Sequence, residues 1–507
     1  MYRLLVLLSL QFCIINLFSQ TIKDIEIVRF DAPFETITVM VDGDSYDYQL
    51  NEKTKLTSSK SGEVAQRYYQ KGSFVDLKYK IEERQRIALK IELKSDYTPG
   101  KENIEGILES HDGDIAFIDG RKIKLDASTA IKCSGKKHCG CTKGMVYLGY
   151  EELQIGDFLS IKGKSDETGS VLADKIDLCE NTFSEDDQKL RANIESSFSQ
   201  SEMRLVQAPA GISVPPNSLS QGKLKMGVIE YKLHNDIQIQ GYVNVIGNKV
   251  IPSYAKDPDY KNRHQVFFRF YVIDSPIPNA YAFPNGMVFI HTGLLRLMEN
   301  EAQLAVILGH EVAHVTYEHA VQRYKSNKYM DSDLVKSGSK RLFSEIFPSG
   351  SDGSLKGDLI QGVGDAVIAT KPSDISNLFL KENESQADRV GLFYAYSAGY
   401  DIREAISFWR SMETKTKDAG YQSALQDDVT NMLLEVNLEV GGKPINKLAG
   451  DMTHSIISNF LNTIYTSHPN AKARLKEVND LLNSVYLDED LSKSVGQEKF
   501  KKKTSRL

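Results

Sequence analysis

The stretch Ala302-Gln303-Leu304-Ala305-Val306-Ile307-Leu308-Gly309-His310-Glu311-Val312-Ala313-His314 decides how this chain is read. Its apolar run predicts a buried helix. Residues four apart on a helix share a face, so the imidazoles of His310 and His314 can point at one metal ion. Glu311 turns to the neighbouring position, where its carboxylate can take a proton from water activated by that ion. The bland reading, a core helix with incidental histidines, fits poorly because two buried imidazoles would each need a polar partner.

A catalytic zinc needs a third protein ligand and an open fourth position. Downstream, Asn383-Glu384-Ser385-Gln386-Ala387-Asp388-Arg389 offers two carboxylates four apart on a predicted helix. Glu384 can reach the metal, while Asp388 can orient a ligand histidine by accepting its second N–H. His319 lies five residues past His314. On a continuous helix that is about 140° away, so it should miss the metal.

Working outward, a chain of 507 residues at about 150 residues per domain suggests roughly three domains. Helical spacing dominates from Thr292 onward. Before it lie an opening helix with Tyr242-Val243-Asn244 and Ile246-Gly247 and a strand at Val266–Val272. The stretch from about 325 to 378 is polar and reads as an insertion with some gating role, between the extremes of a mobile lid and a simple solvated insertion. Upstream, 21–180 read as β structure, with alternating runs broken by Gly and Asp turn signals.

An internal repeat lies there. Lys71-Gly72-Ser73-Phe74-Val75-Asp76-Leu77-Lys78, closing with Ala88-Leu89-Lys90-Ile91-Glu92-Leu93, echoes a later stretch. That stretch is Ile155-Gly156-Asp157-Phe158-Leu159-Ser160-Ile161-Lys162, closing with Ala173-Asp174-Lys175-Ile176-Asp177-Leu178. Two similar units suggest two small β-barrels in tandem, each closing its edges. The second resembles small bacterial domains of OB-like barrel type.

The first twenty residues carry Arg3, a run of apolar residues from Leu4 to Phe18 and then Ser19-Gln20, the pattern of a secretory signal. The expected location is therefore periplasmic or secreted, with no membrane span once the signal is removed. Removing it leaves Cys133, Cys139, Cys141 and Cys179. An even count in an exported chain favours two disulfides of undetermined pairing. A second zinc site from Cys133, His138, Cys139 and Cys141 is the rival reading. The net charge of −6, with 41% apolar and 26% charged residues, describes an ordinary globular chain and predicts no nucleic-acid partner.

These signals divide the chain into a signal at 1–20, a small β module at 21–100, a four-cysteine β-barrel module at 101–180 and a helical or linker segment at 181–224. The metal-binding domain follows at 225–485, and a basic polar tail at 486–507. The fold class is multidomain α+β, two barrels followed by a mainly helical domain with a small sheet.

The third unit resembles the gluzincin peptidases of the HtpX, Oma and CAAX prenyl protease type. The matching pieces are Asn279-Ala280-Tyr281-Ala282-Phe283-Pro284-Asn285-Gly286, Gly293-Leu294-Leu295 and the His-Glu-x-x-His helix, followed by Glu384-x-x-Ala387-Asp388 with Gly391-Leu392. After them come Ala398-Gly399-Tyr400-Asp401, Phe408-Trp409 and Ser467-His468-Pro469 with Arg474.

The resemblance implies a zincin-type fold, one catalytic zinc ion on His310, His314 and Glu384, and Asp388 behind a ligand. It implies His468 beside the metal, where it can polarise the developing oxyanion or occupy the fourth position at rest, in a loop fixed by the Pro469 to Arg474 stretch. It also implies that Gly286-Met287-Val288-Phe289 forms an edge strand on which a peptide pairs. The expected function is a zinc endopeptidase acting on protein or peptide substrates, with envelope-protein partners held through the β modules. The rival is a zinc-containing chaperone or assembly factor that seldom cleaves.

Overall fold

The computed structural model describes residues 19–31, 36–41, 44–58, 62–63, 69, 73–82, 85–94, 100–133, 149–166, 169–179, 206–207, 213–214, 223–226, 229–256, 266–320, 322, 381–418, 420–421, 423, 439–440, 443–444 and 471–507. The signal-like run, His138, Cys139, Cys141, the polar insertion and His468 lie outside these residues.

The first sheet comprises β1 (Gln20–Asp31), β2 (Thr36–Val41), β3 (Asp44–Gln49), β4 (Lys55–Ser58), β5 (Gly62–Glu63), β6 (Phe74–Glu82) and β7 (Gln85–Leu93). Its order is β3-β2-β1-β6-β7-β4-β5, and a parallel β3–β7 pairing curls it into a barrel-like form. The second sheet comprises β8 (Lys101–Asp112), β9 (Ile115–Ile118), β10 (Arg121–Lys124), β11 (Ala130–Cys133), β12 (Phe158–Ser165) and β13 (Val171–Cys179). Its order, β10-β9-β8-β12-β13-β11 with β10 parallel to β13, repeats that of the first sheet.

The sequence repeat maps onto one hairpin in each sheet. Leu77 pairs with Ile91 in β6–β7, and Ile161 pairs with Ile176 in β12–β13. A register shift follows Lys78 in one hairpin and Lys162 in the other. The alternation explains the burial, since Val75, Leu77, Leu159 and Ile161 all face inward and are buried.

A third sheet comprises β14 (Arg269–Ile273), β15 (Ala280–Ala282) and β16 (Met287–His291), in the order β14-β16-β15. This corrects one expectation, because Gly286, Met287 and Val288 lie at and in the central strand rather than an edge. Gly286, at φ +86°, donates its N–H to Phe283 O, and Phe283 N–H donates to Met287 O. That tight turn folds β16 back along β15, while Arg269 N–H donates to Gly286 O and seats β14 on the other side. Among the described residues, the sheet ends at β15 on the side away from β14.

The longer helices among the described residues are α1 (Ile237–Val250), α2 (Glu301–Thr316), α3 (Lys381–Ser397), α4 (Glu404–Lys417), α5 (Ala471–Leu482) and α6 (Gln497–Thr504). Asp236 caps α1 by accepting from Gln238 and Ile239 N–H, and Asn300 caps α2 by accepting from Gln303 N–H. The predicted tail is not a loose one. Phe500 of α6 is buried, Lys499 pairs with Glu301 at 3.2 Å, and Ala302 N–H donates to Val495 O, while Lys501 and Lys502 stay exposed. One apolar side chain in a polar run is enough to dock that helix.

Both barrels touch the helices. Ile107 and Phe117 of the second join the helical core, and Phe117 stacks on Phe393 at 4.6 Å. Phe74 N–H donates to Asn479 Oδ1, and Asn483 Nδ2 donates to Lys94 O, which ties the first barrel to α5. Among the described residues no helix is long and apolar enough to cross a membrane.

Candidate metal centre

All sixteen residues of α2 are buried, so its polar side chains must find partners inside the protein. Helices α2 and α3 cross at backbone contact. A Cβ placed on Gly309 would fall 2.5 Å from Gly391 O, and one on Gly391 would fall 2.4 Å from His310 N. Only glycine permits that approach, and the approach brings Glu384 of α3 against the two histidines.

The ligand atoms of His310, His314 and Glu384 all lie within 4.8 Å of one another. His310 Nε2 stands 3.0 Å from His314 Nε2 and 3.6 Å from Glu384 Oε2, and His314 Nε2 stands 3.4 Å from Glu384 Oε1. A tetrahedral zinc with bonds of about 2.0–2.1 Å has ligand–ligand edges of about 3.3 Å, so this triangle fits the ion. The donor set, two imidazoles and a carboxylate, is that of a catalytic zinc with one position left open. Burial and Arg474 push the His310 pKa down, yet Asp388 and Glu384 outweigh them and lift it to about 9. The pocket therefore favours positive charge where the cation would sit.

For Nε2 to offer its lone pair to a metal, Nδ1 must carry the ring proton. His310 Nδ1 lies 2.8 Å from Asp388 Oδ1 and can donate to it. Arg474 of α5 holds the same carboxylate, with Nε 2.8 Å from Oδ2 and Nη2 bound to Oδ1, and its guanidinium lies over the Trp409 ring at 3.8 Å. Burial would raise the Asp388 pKa, but Arg474 and His310 hold it below the usual carboxylate range. The carboxylate is thus ionised and fixed behind the ligand. Glu311, buried beside His310, occupies the next position round α2.

His319 stands behind a ligand rather than among the ligands. It is absent from the ligand cluster, as spacing predicts, but it is not remote. The helix stops at Thr316, and Glu318 takes a left-handed φ of +57°. That turn brings His319 Nδ1 to 2.8 Å from His314 Nδ1, while His319 Nε2 lies 2.8 Å from Gln386 Oε1. Burial pushes the His319 pKa down to about 4, so the ring is neutral, with one donor and one acceptor nitrogen. The sequence held no glycine at the helix end to announce the turn.

A helix offering two histidines with a glutamate between them, and a third ligand from the helix it crosses, form a centre able to hold one metal ion, with the donor set of a catalytic zinc. Residues 240–482 match the model of peptidase family M48, and this part of the chain is similar to metallopeptidases of the OMA1 type. The mitochondrial metalloendopeptidase OMA1 of Bos taurus is 35% identical over 143 residues, 28% of this chain and 26% of that protein. The beta-barrel assembly-enhancing protease of Escherichia coli strain K12 is 28% identical over 193 residues, 38% of this chain and 35% of that protein. The chain therefore spans about a quarter to a third of the length of these relatives, and both barrels lie outside the family match.

Proposed function

We propose that this chain is an exported zinc metalloendopeptidase that cleaves unfolded or misassembled envelope proteins. The observation that carries the reading is the convergence of His310, His314 and Glu384 on one point, with Glu311 next to His310 in the same buried helix. When bound, zinc supplies a Lewis acid that polarises the scissile carbonyl and eases ionisation of the attacking water.

Glu311 takes a proton from that water and delivers it to the leaving amine. His468 balances the charge that grows on the carbonyl oxygen. Asp388, clamped by Arg474, keeps the His310 ring in one orientation and one tautomer. A substrate strand pairs with β15 rather than with Met287 and Val288. At the two ends of β15, Asn279 O and Phe283 N–H are spent on β16, so the alternating Ala282 turns its peptide groups the other way.

The barrels at 21–100 and 101–180 provide binding surface for envelope partners, and the segment at 181–224 joins them to the peptidase at 225–485. Export rests on the signal-like pattern of residues 1–20. The envelope as workplace is favoured by likeness to a protein named for enhancing β-barrel assembly.

The test is incubation of the full-length chain with a reduced, unfolded protein. Fragments should appear, vanish with a zinc chelator and return when zinc is restored. A zinc-loaded chain that produces none would contradict the reading.

A further inference from the structure

His310 is backed by a carboxylate four residues beyond the third ligand. His314 has no such neighbour in sequence, and the structure supplies one from elsewhere. Gln386 Nε2 donates to Asp119 Oδ1 at 2.7 Å, and Gln386 Oε1 faces His319 Nε2, whose Nδ1 faces His314 Nδ1. We propose that Asp119, carried on the second barrel and outside the family-matching region, is the positioning carboxylate for the metal ligand His314, acting through Gln386 and His319.

One assignment of hydrogens satisfies every atom. His314 keeps its Nε2 lone pair for the metal and so donates from Nδ1 to His319 Nδ1. His319 then carries its proton on Nε2 and donates to Gln386 Oε1. The Gln386 amide, with its oxygen thus fixed, donates to Asp119. The chain ends on a charge that is itself held, because Arg389 Nη2 donates to Asp119 Oδ2 at 2.8 Å and Arg121 Nε lies 3.4 Å from the same oxygen. Each ligand histidine therefore ends on an arginine-held aspartate, His310 directly and His314 by relay. Both relay ends are shielded from water, with His319 0% and Asp119 4% exposed.

The backbone explains how a barrel reaches so deep. Asp119 and Gly120 take left-handed φ values of 58° and 64° in the tight turn between β9 and β10. A Cβ on Gly120 would fall 2.6 Å from the carbonyl of Arg389, so the turn is pressed against the backbone of α3, one residue past Asp388. The turn fixes Asp119 as firmly as α3 fixes Gln386.

The inference rests on His314 being a ligand and is read by zinc affinity without any substrate, so it can fail or hold whatever the chain cleaves. The experiment is chelator competition for zinc on the full-length protein, comparing wild type, Gln386→Glu, Asp119→Asn and the double variant, each first checked for folding in chelator. Gln386→Glu sets two carboxylates face to face and breaks the relay, and affinity should fall roughly 10–100-fold. Adding Asp119→Asn restores a donor opposite that new carboxylate, and asparagine tolerates the left-handed turn, so the double variant should recover to within about threefold of wild type.

If Asp119 merely docked the barrel through Arg389, the double variant would bind zinc most weakly, and that result overturns the proposal. Lys122→Met, which removes the Lys122–Glu489 ion pair elsewhere on the same interface, should leave affinity unchanged. Should Gln386→Glu not fold, Gln386→Met removes donor and acceptor at similar size. It should show the same loss without rescue by Asp119→Asn, and wild-type affinity in folded Gln386→Met overturns the proposal equally.

Discussion

Gly391 lies against the backbone of His310 so closely that a methyl group there would stand 2.4 Å from the histidine nitrogen and 2.6 Å from its Cα. Both obstacles are backbone, so no side chain can swing aside. Gly391→Ala must part α2 from α3 or shift them along each other, which costs roughly 1–3 kcal/mol for overpacking of this kind. The same displacement moves Glu384 away from the histidines. Thermal unfolding should show the lower stability, and metal analysis should show less than one zinc per chain.

Asp388 and Arg474 form a buried ion pair behind His310, each less than a tenth exposed. Removing one charge leaves the other without compensation in the interior, at a cost of about 3–5 kcal/mol. Asp388→Asn should therefore lower the urea midpoint markedly. It should also weaken zinc binding roughly 10–100-fold, because the ligand loses its ionised acceptor. A variant as stable and as zinc-avid as wild type would remove Asp388 from the account.

His291, at the end of β16, sits far enough inside that burial pushes its pKa down to about 3. The unfolded chain takes up a proton near pH 6.5 while the folded one does not, so stability is fully present above that pH and is lost as the pH falls toward 3. Between pH 7 and 5 this amounts to about 2 kcal/mol. Denaturant unfolding of wild type against His291→Gln should show their stability difference shift by that amount across the interval, in the direction that penalises wild type at pH 5. A pH-independent difference would contradict it.

Much of the centre was legible because helical spacing is a strong geometric statement. His310, His314, Glu384 and Asp388 converge for the reason their intervals give, and the repeated barrel hairpins follow from matching alternation. Arg474, expected from the family likeness to help fix the loop of His468, lies on Asp388, a contact that no spacing announces. The strand Met287–Val288 was legible as a strand but not as central, since strand order depends on where the chain folds back, and the Phe283–Gly286 turn decides that. His319 misses the metal as its spacing says, but its place against His314 was not legible, because a non-glycine left-handed residue, Glu318, turns the chain just past the helix end. Asp119 left no trace, for no local pattern links a hairpin tip to a helix that follows it far along the chain. Cys139, Cys141 and His468 lie outside the described residues, so pairing and oxyanion roles stay as sequence readings.

The most direct measurement compares wild type and Glu311→Gln at equal, measured zinc occupancy, following cleavage of an unfolded protein. The substitution keeps the size of the side chain and leaves His310, His314 and Glu384 untouched, so bound zinc should remain at one per chain. Cleavage should fall by about 10²–10⁴-fold, the range for losing a general base. Equal cleavage by the two zinc-loaded proteins would contradict the assignment of Glu311 and, with it, the peptidase mechanism.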